Sequence, residues 1–231
     1  MDAVKQFQLE KKRCFTFIGE AGSGKSEIAI NFAKILRQKT KKEIHFFDFD
    51  MSKPLFRARE AQKELESAGI SVHFEKQFMD APTQVGGLIS CLKEKNHLVV
   101  LDVGGDAVGS RAIGGFAKWL NAEYSLVYFV VNPYRPWSSD VQHIDETLGS
   151  ILCVTHLQFE KLHLISNPNL GIATRIGDVV SGHRKLKKNL ASHLPIDFLC
   201  VKEELASQLE GIGRVPILPL KLALSYEWTA K

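Results

Sequence analysis

The sequence predicts an α/β fold, a three-layer α/β/α sandwich around a mainly parallel sheet. Segments of strand character alternate with segments of helical spacing from residue 13 to residue 220, which is the pattern of a parallel sheet with right-handed crossovers. The strands at 97–103 and 125–131 are almost wholly apolar and do not alternate, as expected where helices cover both faces of a sheet. The 231 residues contain no internal repeat or flexible linker, so we expect one domain over 1–231.

The first half of the chain predicts three helices and four strands. Apolar residues recur at helical spacing over 25–37. The second helix, at 54–69, begins with a proline and ends with a glycine, which are typical start and stop signals. The third helix covers 82–95 despite its glycines. The strands of this half are short runs rich in apolar and β-branched residues, at 13–18, 43–49, 70–74 and 97–103.

The second half continues the same alternation. A helix is predicted at 110–121, followed by the strand at 125–131. Ser139 and Gln142 form a capping-box pattern that would open the next helix, whose apolar stripe runs from Val141 to Leu152. The remaining elements are a strand at 161–166, a helix over about 174–192, a strand at 196–201, a short helix and a strand at 215–220.

Composition and charge indicate a globular protein with no nucleic-acid or membrane role. The net charge is only +4, and the basic run at 182–190 is predicted to be the solvated face of a helix. The amino terminus is too charged for a signal peptide, and no apolar run reaches the roughly 18 residues of a membrane span. The cysteines form no CxxC pair, so we expect buried, reduced thiols of a cytoplasmic protein and no metal site among them; they are Cys14, Cys91, Cys153 and Cys200.

A glycine-rich turn follows the first strand and opens the first helix. It reads FIGEAGSGKSEIAI and matches the pattern GxxxxGK[ST]. Glycines bring backbone N–H groups close to phosphate oxygens, and the helix adds the positive end of its dipole. Lys25 would reach the β- and γ-phosphates, and the Ser26 hydroxyl would bind Mg²⁺; the alternative is a plain turn with an exposed lysine. The residues predicted to line this phosphate loop are Gly19, Glu20, Ala21, Gly22, Ser23, Gly24, Lys25, Ser26 and Glu27.

Carboxylates end two neighbouring strands of the predicted sheet. Asp102 follows an apolar strand and would bind Mg²⁺ directly or through water, although it could instead cap the next helix. Gly105, three residues on, would place an N–H near the γ-phosphate. Asp48 and Asp50 end the second strand, and ligands collect at the carboxyl ends of parallel strands. One of them is expected in the magnesium shell and the other beside the attacking water, unless one merely caps the following turn.

With these motifs the sequence resembles the MinD/ParA/CobQ-type P-loop ATPases of the SIMIBI class over nearly its whole length. The segments HFFDFDMSKP, LVVLDVGG, LISNPN and VPILPL resemble later elements of that family. The resemblance implies a P-loop NTPase fold, with ATP and Mg²⁺ as cofactors. It places Asp50 beside the attacking water, completes the metal shell with Asp48 and Asp102, and puts Asn167 and Pro168 at the base. Leu170 stands where an Asn-Lys-x-Asp motif for guanine would have its carboxylate, so adenine is favoured.

Two departures from the family limit what the resemblance implies. The family carries an early lysine in its phosphate loop that reaches across a homodimer, whereas this chain has Glu20, so a homodimer would need other contacts. The paired-cysteine motif of the nickel-insertion relatives is absent, which disfavours direct metal carriage.

The predicted activity is that of a slow ATPase that switches an unidentified protein partner. The alternative is an ATP-dependent metabolic enzyme, a small-molecule kinase or a dethiobiotin- or cobyrinate-type ligase; a scaffold that only binds ATP is a third reading. Candidate acceptor-binding cations are Arg57, Arg59, Arg111 and Arg135. Tyr134, Arg135 and Trp137 form either a contact surface or a rigid proline turn with a core tryptophan.

Overall fold

The sheet in the computed structural model has eight strands, all parallel, in the order β3-β2-β4-β1-β5-β6-β7-β8. The structure describes residues 10–50, 55–74, 87–190, 194–209 and 215–222, without the side chains of 55–60 and 74. The α/β prediction is confirmed. The strands are β1 Cys14–Ile18, β2 Glu43–Phe49, β3 Ser71–Phe74, β4 His97–Val103, β5 Ser125–Val131, β6 Leu162–Ser166, β7 Ile196–Lys202 and β8 Ile217–Leu220.

Helices cover both faces of the sheet. Along each strand, alternate side chains enter one of two apolar layers. One layer packs under α1 and α2, and the other under α3, α5, α6 and α7. The α-helices are α1 Lys25–Lys39, α2 Leu55–Ser67, α3 Leu88–Lys93, α4 Asp106–Ser110, α5 Ala117–Leu120, α6 Val141–Thr155, α7 Ile176–Leu190 and α8 Glu203–Ala206; 3₁₀ turns lie at Arg111–Phe116, Pro136–Ser138, Phe159–Lys161, Gly171–Ala173 and Ser207–Leu209.

Strand register brings the predicted site residues to one edge. Asp102 is the register partner of Asp48 on one side and of Phe17 on the other. Partners in a parallel ladder point to the same face, and Phe17 packs in the layer under α1. The order of strands reverses around β1, which is the switch point where α/β folds form their ligand crevice.

Several local predictions were wrong. The helix predicted at 110–121 is divided into α4, a 3₁₀ turn and α5, where a Cβ on Gly114 would lie 2.6 Å from the Val154 carbonyl oxygen. Of the helix predicted at 82–95, the described residues are helical over α3, while 87, 94 and 95 are not helical; residues 82–86 lie outside the described part of the chain. Helix α6 is capped by Asp140, whose carboxylate accepts the His143 N–H at 3.0 Å, and not by Ser139.

Burial agrees with the prediction for the basic run and with the predictions for three of the four cysteines. The four basic side chains of the 182–190 run are exposed on α7, while Leu186 and Leu190 are buried beneath it. Cys14, Cys91 and Cys200 are buried, but Cys153 is exposed on α6, contrary to prediction. In the described segments, none of the helices combines the length and the apolar character that crossing a bilayer demands.

Candidate nucleotide-binding site

The phosphate loop joins the end of β1 to the first turn of α1 through a backbone that needs glycine. Gly19, Gly22 and Gly24 have φ angles of 146°, 76° and 89°. A Cβ on Gly19 would lie 2.5 Å from the Val130 carbonyl oxygen, so the loop packs directly on the end of β5. Gly24 is the N-cap of α1 and offers no side chain to cap it. The helix therefore begins at a position suited to an anion.

Side chains from the neighbouring strand ends hold the loop from outside. The Arg135 Nε–H donates to the Gly22 carbonyl at 2.8 Å, and the Asn167 amide donates to the Ser23 carbonyl at 2.8 Å. In a trans peptide the C=O and the following N–H point in opposite directions. The bond from Asn167 therefore directs the Gly24 N–H away from Asn167.

Lys25 is enclosed by the loop that precedes it. Its side chain is 4% exposed, and its ammonium donates to the Glu20 carbonyl at 3.5 Å. The alternative of a turn with an exposed lysine is therefore wrong. Ser26, one residue further along α1, is half-buried at the same helix end.

The aspartates at the strand ends differ in their surroundings. Asp102 is fully buried at the end of β4, whereas Asp48 and Asp50 are half-buried at the end of β2. The Asp48 carboxylate accepts the Asp50 N–H at 2.9 Å, which is the turn-capping role considered for this pair. In that bond Asp50 contributes its backbone N–H and Asp48 contributes its side chain.

The loop after β4 touches the phosphate loop directly. A Cβ on Gly105 would lie 2.4 Å from the Ala21 backbone nitrogen, so the two backbones are in contact. The next residue, Asp106, has a φ of 70°, an uncommon conformation for a residue with a side chain. Its carboxylate accepts the Gly109 N–H at 2.9 Å, within the first turn of α4.

The predicted base-binding segment lies behind the loop. Asn167 is buried, and its amide is engaged with Ser23 as described above. Pro168 packs against α7, where a Cβ on Gly182 would lie 2.6 Å from its Cβ atom. Leu170 is 45% exposed.

Two further polar residues support this edge and were not predicted. The buried amide of Asn132 donates to the Asn169 carbonyl at 2.7 Å and so joins the exits of β5 and β6. The Ser138 hydroxyl donates to the Glu20 carboxylate at 3.4 Å. Asn132 follows an apolar strand, as Asp102 and Asn167 do, and that position was the signal available in the sequence.

The segment 134–137 supports the phosphate loop through Arg135 and exposes Trp137 at the surface. Trp137 is 58% exposed, so the reading with a core tryptophan is wrong. The Tyr134 hydroxyl donates to the Asp178 carbonyl at 2.5 Å. Among the candidate acceptor-binding cations, Arg135 is engaged with Gly22 and Arg111 is exposed; the side chains of Arg57 and Arg59 lie outside the description.

Glu20 places a carboxylate inside a loop built for anions. The residue is buried, and its burial raises the pKa of its carboxyl group above the ordinary value of 4.5, while Ser138, Arg135 and Lys25 act in the opposite direction. The native state thus binds this proton more readily than the unfolded chain does. Stability from this group is present below pH 4.5 and is lost as the pH rises through the raised pKa.

Replacing Glu20 with Gln should strengthen nucleotide binding. The amide retains a partner for Ser138 but removes a negative charge close to the phosphates. At an effective dielectric of about 20 this is worth on the order of 1 kcal/mol, or about threefold to tenfold in affinity. Calorimetry with Mg-ATP at neutral pH measures the gain, with the exposed Glu160→Gln as control. The gain should shrink on acidification, because wild-type Glu20 is then protonated; equal affinities at neutral pH would contradict the prediction.

Comparison with known proteins supports the fold and adds no close relative. Neither a family model nor a curated protein matches the sequence. The cell division protein FtsY of Thermotoga maritima matches in structure with a TM-score of 0.57 and 14% identity, over 83% of this chain and 62% of that one. The signal recognition particle 54 kDa protein of Aeropyrum pernix K1, solved with GDP, matches with a TM-score of 0.53 and 17% identity, over 82% and 41%.

A third structural match covers nearly the full length of both chains. The ParA family ATPase of Chlorobium tepidum TLS has a TM-score of 0.51 and 17% identity, over 85% of this chain and 86% of that one. This chain spans less than two thirds of the FtsY protein and of the 54 kDa protein. At such identities the likeness concerns the fold. The chain has the same α/β fold as these three proteins, in agreement with the predicted P-loop NTPase fold.

Proposed function

We propose that this chain is a single P-loop domain that binds ATP with Mg²⁺, hydrolyses it slowly and acts as a switch for a protein partner. The observation that carries the proposal is the loop at 19–26. Its glycine backbone ends at an uncapped helix terminus, with Lys25 enclosed. Such a terminus favours phosphate through its N–H groups and its dipole.

The residues present fit a magnesium ion. Ser26, Asp48 and Asp102 offer an all-oxygen donor set, which Mg²⁺ prefers. Helix α1 packs against β4, so Ser26 and Asp102 belong to adjoining elements, and Asp48 is the register partner of Asp102. When bound, Mg²⁺ would neutralise charge on the β- and γ-phosphates. Lys25 would stabilise the same phosphates, and Asp50 would orient the attacking water.

The residues that follow β6 favour adenine over guanine as the bound base. Leu170, at the position of a guanine-binding carboxylate, is apolar and half-exposed. Asn169 directs its side-chain oxygen to the Gly171 N–H and the Thr174 hydroxyl, within its own loop. Calorimetry with Mg-ATP and Mg-GTP tests the choice, and tighter binding of GTP would reverse it.

The switch is supported by the contact between the two loops. Gly105 lies against Ala21, and Asp106 holds a conformation that costs about 1 kcal/mol or more for most side chains. A γ-phosphate that attracts the Gly105 N–H would move this strained segment and the start of α4. The loop after Asp50 was also expected to take part in the switch, and residues 51–54 lie outside the described part.

The cytoplasm is the proposed location of the chain, because its four cysteines are free thiols, as in a reducing compartment.

Replacing Asp50 with Asn should separate binding from hydrolysis. The Asp50 N–H that bonds Asp48 is retained, so Mg-ATP affinity should stay within about twofold. Loss of the carboxylate that orients water should lower phosphate release by about 100-fold or more. Asp145→Asn, an exposed position on α6, is the matched control. Normal turnover in Asp50→Asn would remove the residue from its proposed role.

The same phosphate-release assay distinguishes the proposed switch from the metabolic-enzyme alternative. Phosphate release with ATP alone is expected of a switch, whereas a kinase or ligase needs its acceptor. Turnover that appears only with one member of a metabolite panel would replace the proposal. The bond from Arg135 to Gly22 weakens that alternative, because this guanidinium already supports the phosphate loop.

A further inference from the structure

Three histidines and a cysteine converge on the sheet away from the phosphate loop. His45, His73 and His97 lie on β2, β3 and β4, and Cys91 lies on α3. Side chains alternate along β2: Ile44 and Phe46 enter the layer under α1, whereas Phe47 packs with Cys91 in the opposite layer. His45 shares the face of Phe47. The cluster is therefore on the face opposite the one to which Asp48 and Asp102 point.

The donor atoms of His45, His73 and Cys91 are close enough to share one ion. The His45 Nδ1 atom is 3.0 Å from the His73 Nε2 atom, and the nitrogen and sulfur donors of all three residues lie within 4.8 Å of one another. Around a tetrahedral zinc ion, with Zn–N near 2.0 Å and Zn–S near 2.3 Å, donors are separated by roughly 3.3–3.6 Å. Small side-chain rotations would bring the observed arrangement to that geometry.

The outer contacts have the arrangement that supports a histidine ligand. The His45 Nε2 atom is buried and makes no hydrogen bond within the described structure, and the Glu43 carboxylate lies 3.8 Å from it. If Nδ1 ligates the ion, the proton sits on Nε2, at ion-pair distance from that carboxylate but beyond hydrogen-bond distance. Histidine ligands commonly donate their second N–H to a carboxylate, and a small approach of Glu43 would complete that contact. Glu43 also lies 3.3 Å from the His97 Nε2 atom.

We infer that His45, His73 and Cys91 form a binding site for a zinc-class transition-metal ion, separate from the magnesium site. Two imidazoles and one thiolate are the nitrogen and sulfur donors that Zn²⁺ favours over hard-oxygen cations such as Mg²⁺. The three residues leave a fourth position for water or an external ligand. A bound ion would join β2, β3 and α3. Glu43 and His97 are positioning residues in this site.

Co²⁺ is the probe, because it adopts the tetrahedral coordination of a zinc site and its absorption bands identify its ligands. The full chain is prepared reduced and metal-free in a Cys153→Ser background, which removes the exposed thiol of α6. Titration should give one tight equivalent, a thiolate-to-cobalt charge-transfer band in the near ultraviolet and strong visible bands of four-coordinate cobalt. Zn²⁺ should bleach these bands on displacement. Cobalt held by the oxygen ligands of Ser26 and the aspartates would show neither feature.

Variants assign the ligands. Cys91→Ser should abolish the charge-transfer band, and His73→Gln should weaken Zn²⁺ binding at least tenfold in competition with a chromogenic chelator. Glu43→Gln should weaken it about tenfold, in line with the loss of an outer-shell partner. His143→Gln, on the exposed part of α6, is the control and should bind as the background does.

The parent protein alone can overturn the inference, so the test survives if a variant fails to fold. Absence of the charge-transfer band in cobalt-treated parent would exclude the thiolate site. Persistence of the band in folded Cys91→Ser would do the same. Loss of binding in Glu43→Gln and His97→Gln with no effect of Cys91→Ser would assign the ion to Glu43, His45 and His97 instead, and would also reject the proposed set.

Discussion

Replacing Lys25 with Ala is expected to lower nucleotide hydrolysis by on the order of 100-fold or more and to weaken Mg-ATP binding. A cationic clamp on the transferred phosphoryl group acts where charge develops, in a site that excludes water. The Lys25 ammonium is enclosed and already positioned by the Glu20 carbonyl. Phosphate release at saturating Mg-ATP and calorimetry together measure the two effects.

The same variant should not lose stability in the absence of nucleotide. Alanine gives up the 3.5 Å bond from Lys25 to the Glu20 carbonyl, but it also removes the desolvation cost of a charge in a residue that is only 4% exposed. Alanine also suits the first turn of a helix. The thermal midpoint of the apo protein should therefore stay level or rise, a pattern typical of a residue kept for function. Lys39→Ala, exposed at the other end of α1, is the control. Turnover of Lys25→Ala within tenfold of wild type would contradict the assignment.

The phosphate loop could be predicted from sequence because its residues are consecutive. Eight positions determine the turn, and the glycines at 19, 22 and 24 each adopt the positive φ that such a turn needs. The parallel sheet was equally accessible, since a strand such as 97–103, which is almost wholly apolar and does not alternate, indicates burial on both faces. In both cases the information is local, and tertiary packing reinforces it.

The residues that hold the loop could not be predicted in the same way. Arg135 is 113 positions from Gly22, and Ser138 is 118 positions from Glu20. Only the pairing of β1 with β5 brings these segments together. Local sequence patterns do not indicate that pairing. The segment 134–137 was therefore equally compatible with a rigid turn around a buried tryptophan.

One other difference has the same origin in long-range contacts. The helix expected at 110–121 is interrupted where Gly114 packs against the backbone of α6, which helical spacing alone does not reveal.

The donors of the proposed metal site come from separate elements, which CxxC spacing cannot detect. Aligning β2, β3 and β4 by register puts His45, His73 and His97 on one face of the sheet, with His45 two positions from the register partner of each of the others.

Replacing Gly105 with Ala should destabilise the protein and uncouple the two loops. The φ and ψ angles of Gly105, −72° and 151°, are open to alanine, so the effect is purely steric. The added Cβ would lie 2.4 Å from the Ala21 nitrogen and 2.6 Å from its Cα, both backbone atoms that can yield only if the loops separate. We expect a loss of about 1–3 kcal/mol in the free energy of unfolding.

Separation of the loops should also displace the N–H groups that are proposed to bind the phosphates. A shift of about 1 Å in a positioning group costs about 100-fold in catalysis when the geometry is demanding. The stabilisation conferred by Mg-ATP, measured as a rise in thermal midpoint, should therefore shrink in Gly105→Ala. Loss of this rise together with a normal fold would place the coupling at the contact between Gly105 and Ala21.

Gly149→Ala is the control, and it should raise rather than lower the free energy of unfolding. Gly149 lies exposed in the middle of α6, and a Cβ there would meet no atom within 4 Å. Alanine should raise helix propensity and stabilise the protein by about 0.5–1 kcal/mol, with an unchanged response to Mg-ATP. Urea denaturation with equal slopes compares both variants with wild type. If Gly105→Ala proved as stable as Gly149→Ala, the two loops would not be in backbone contact, and the route proposed from the phosphate to α4 would fail with it.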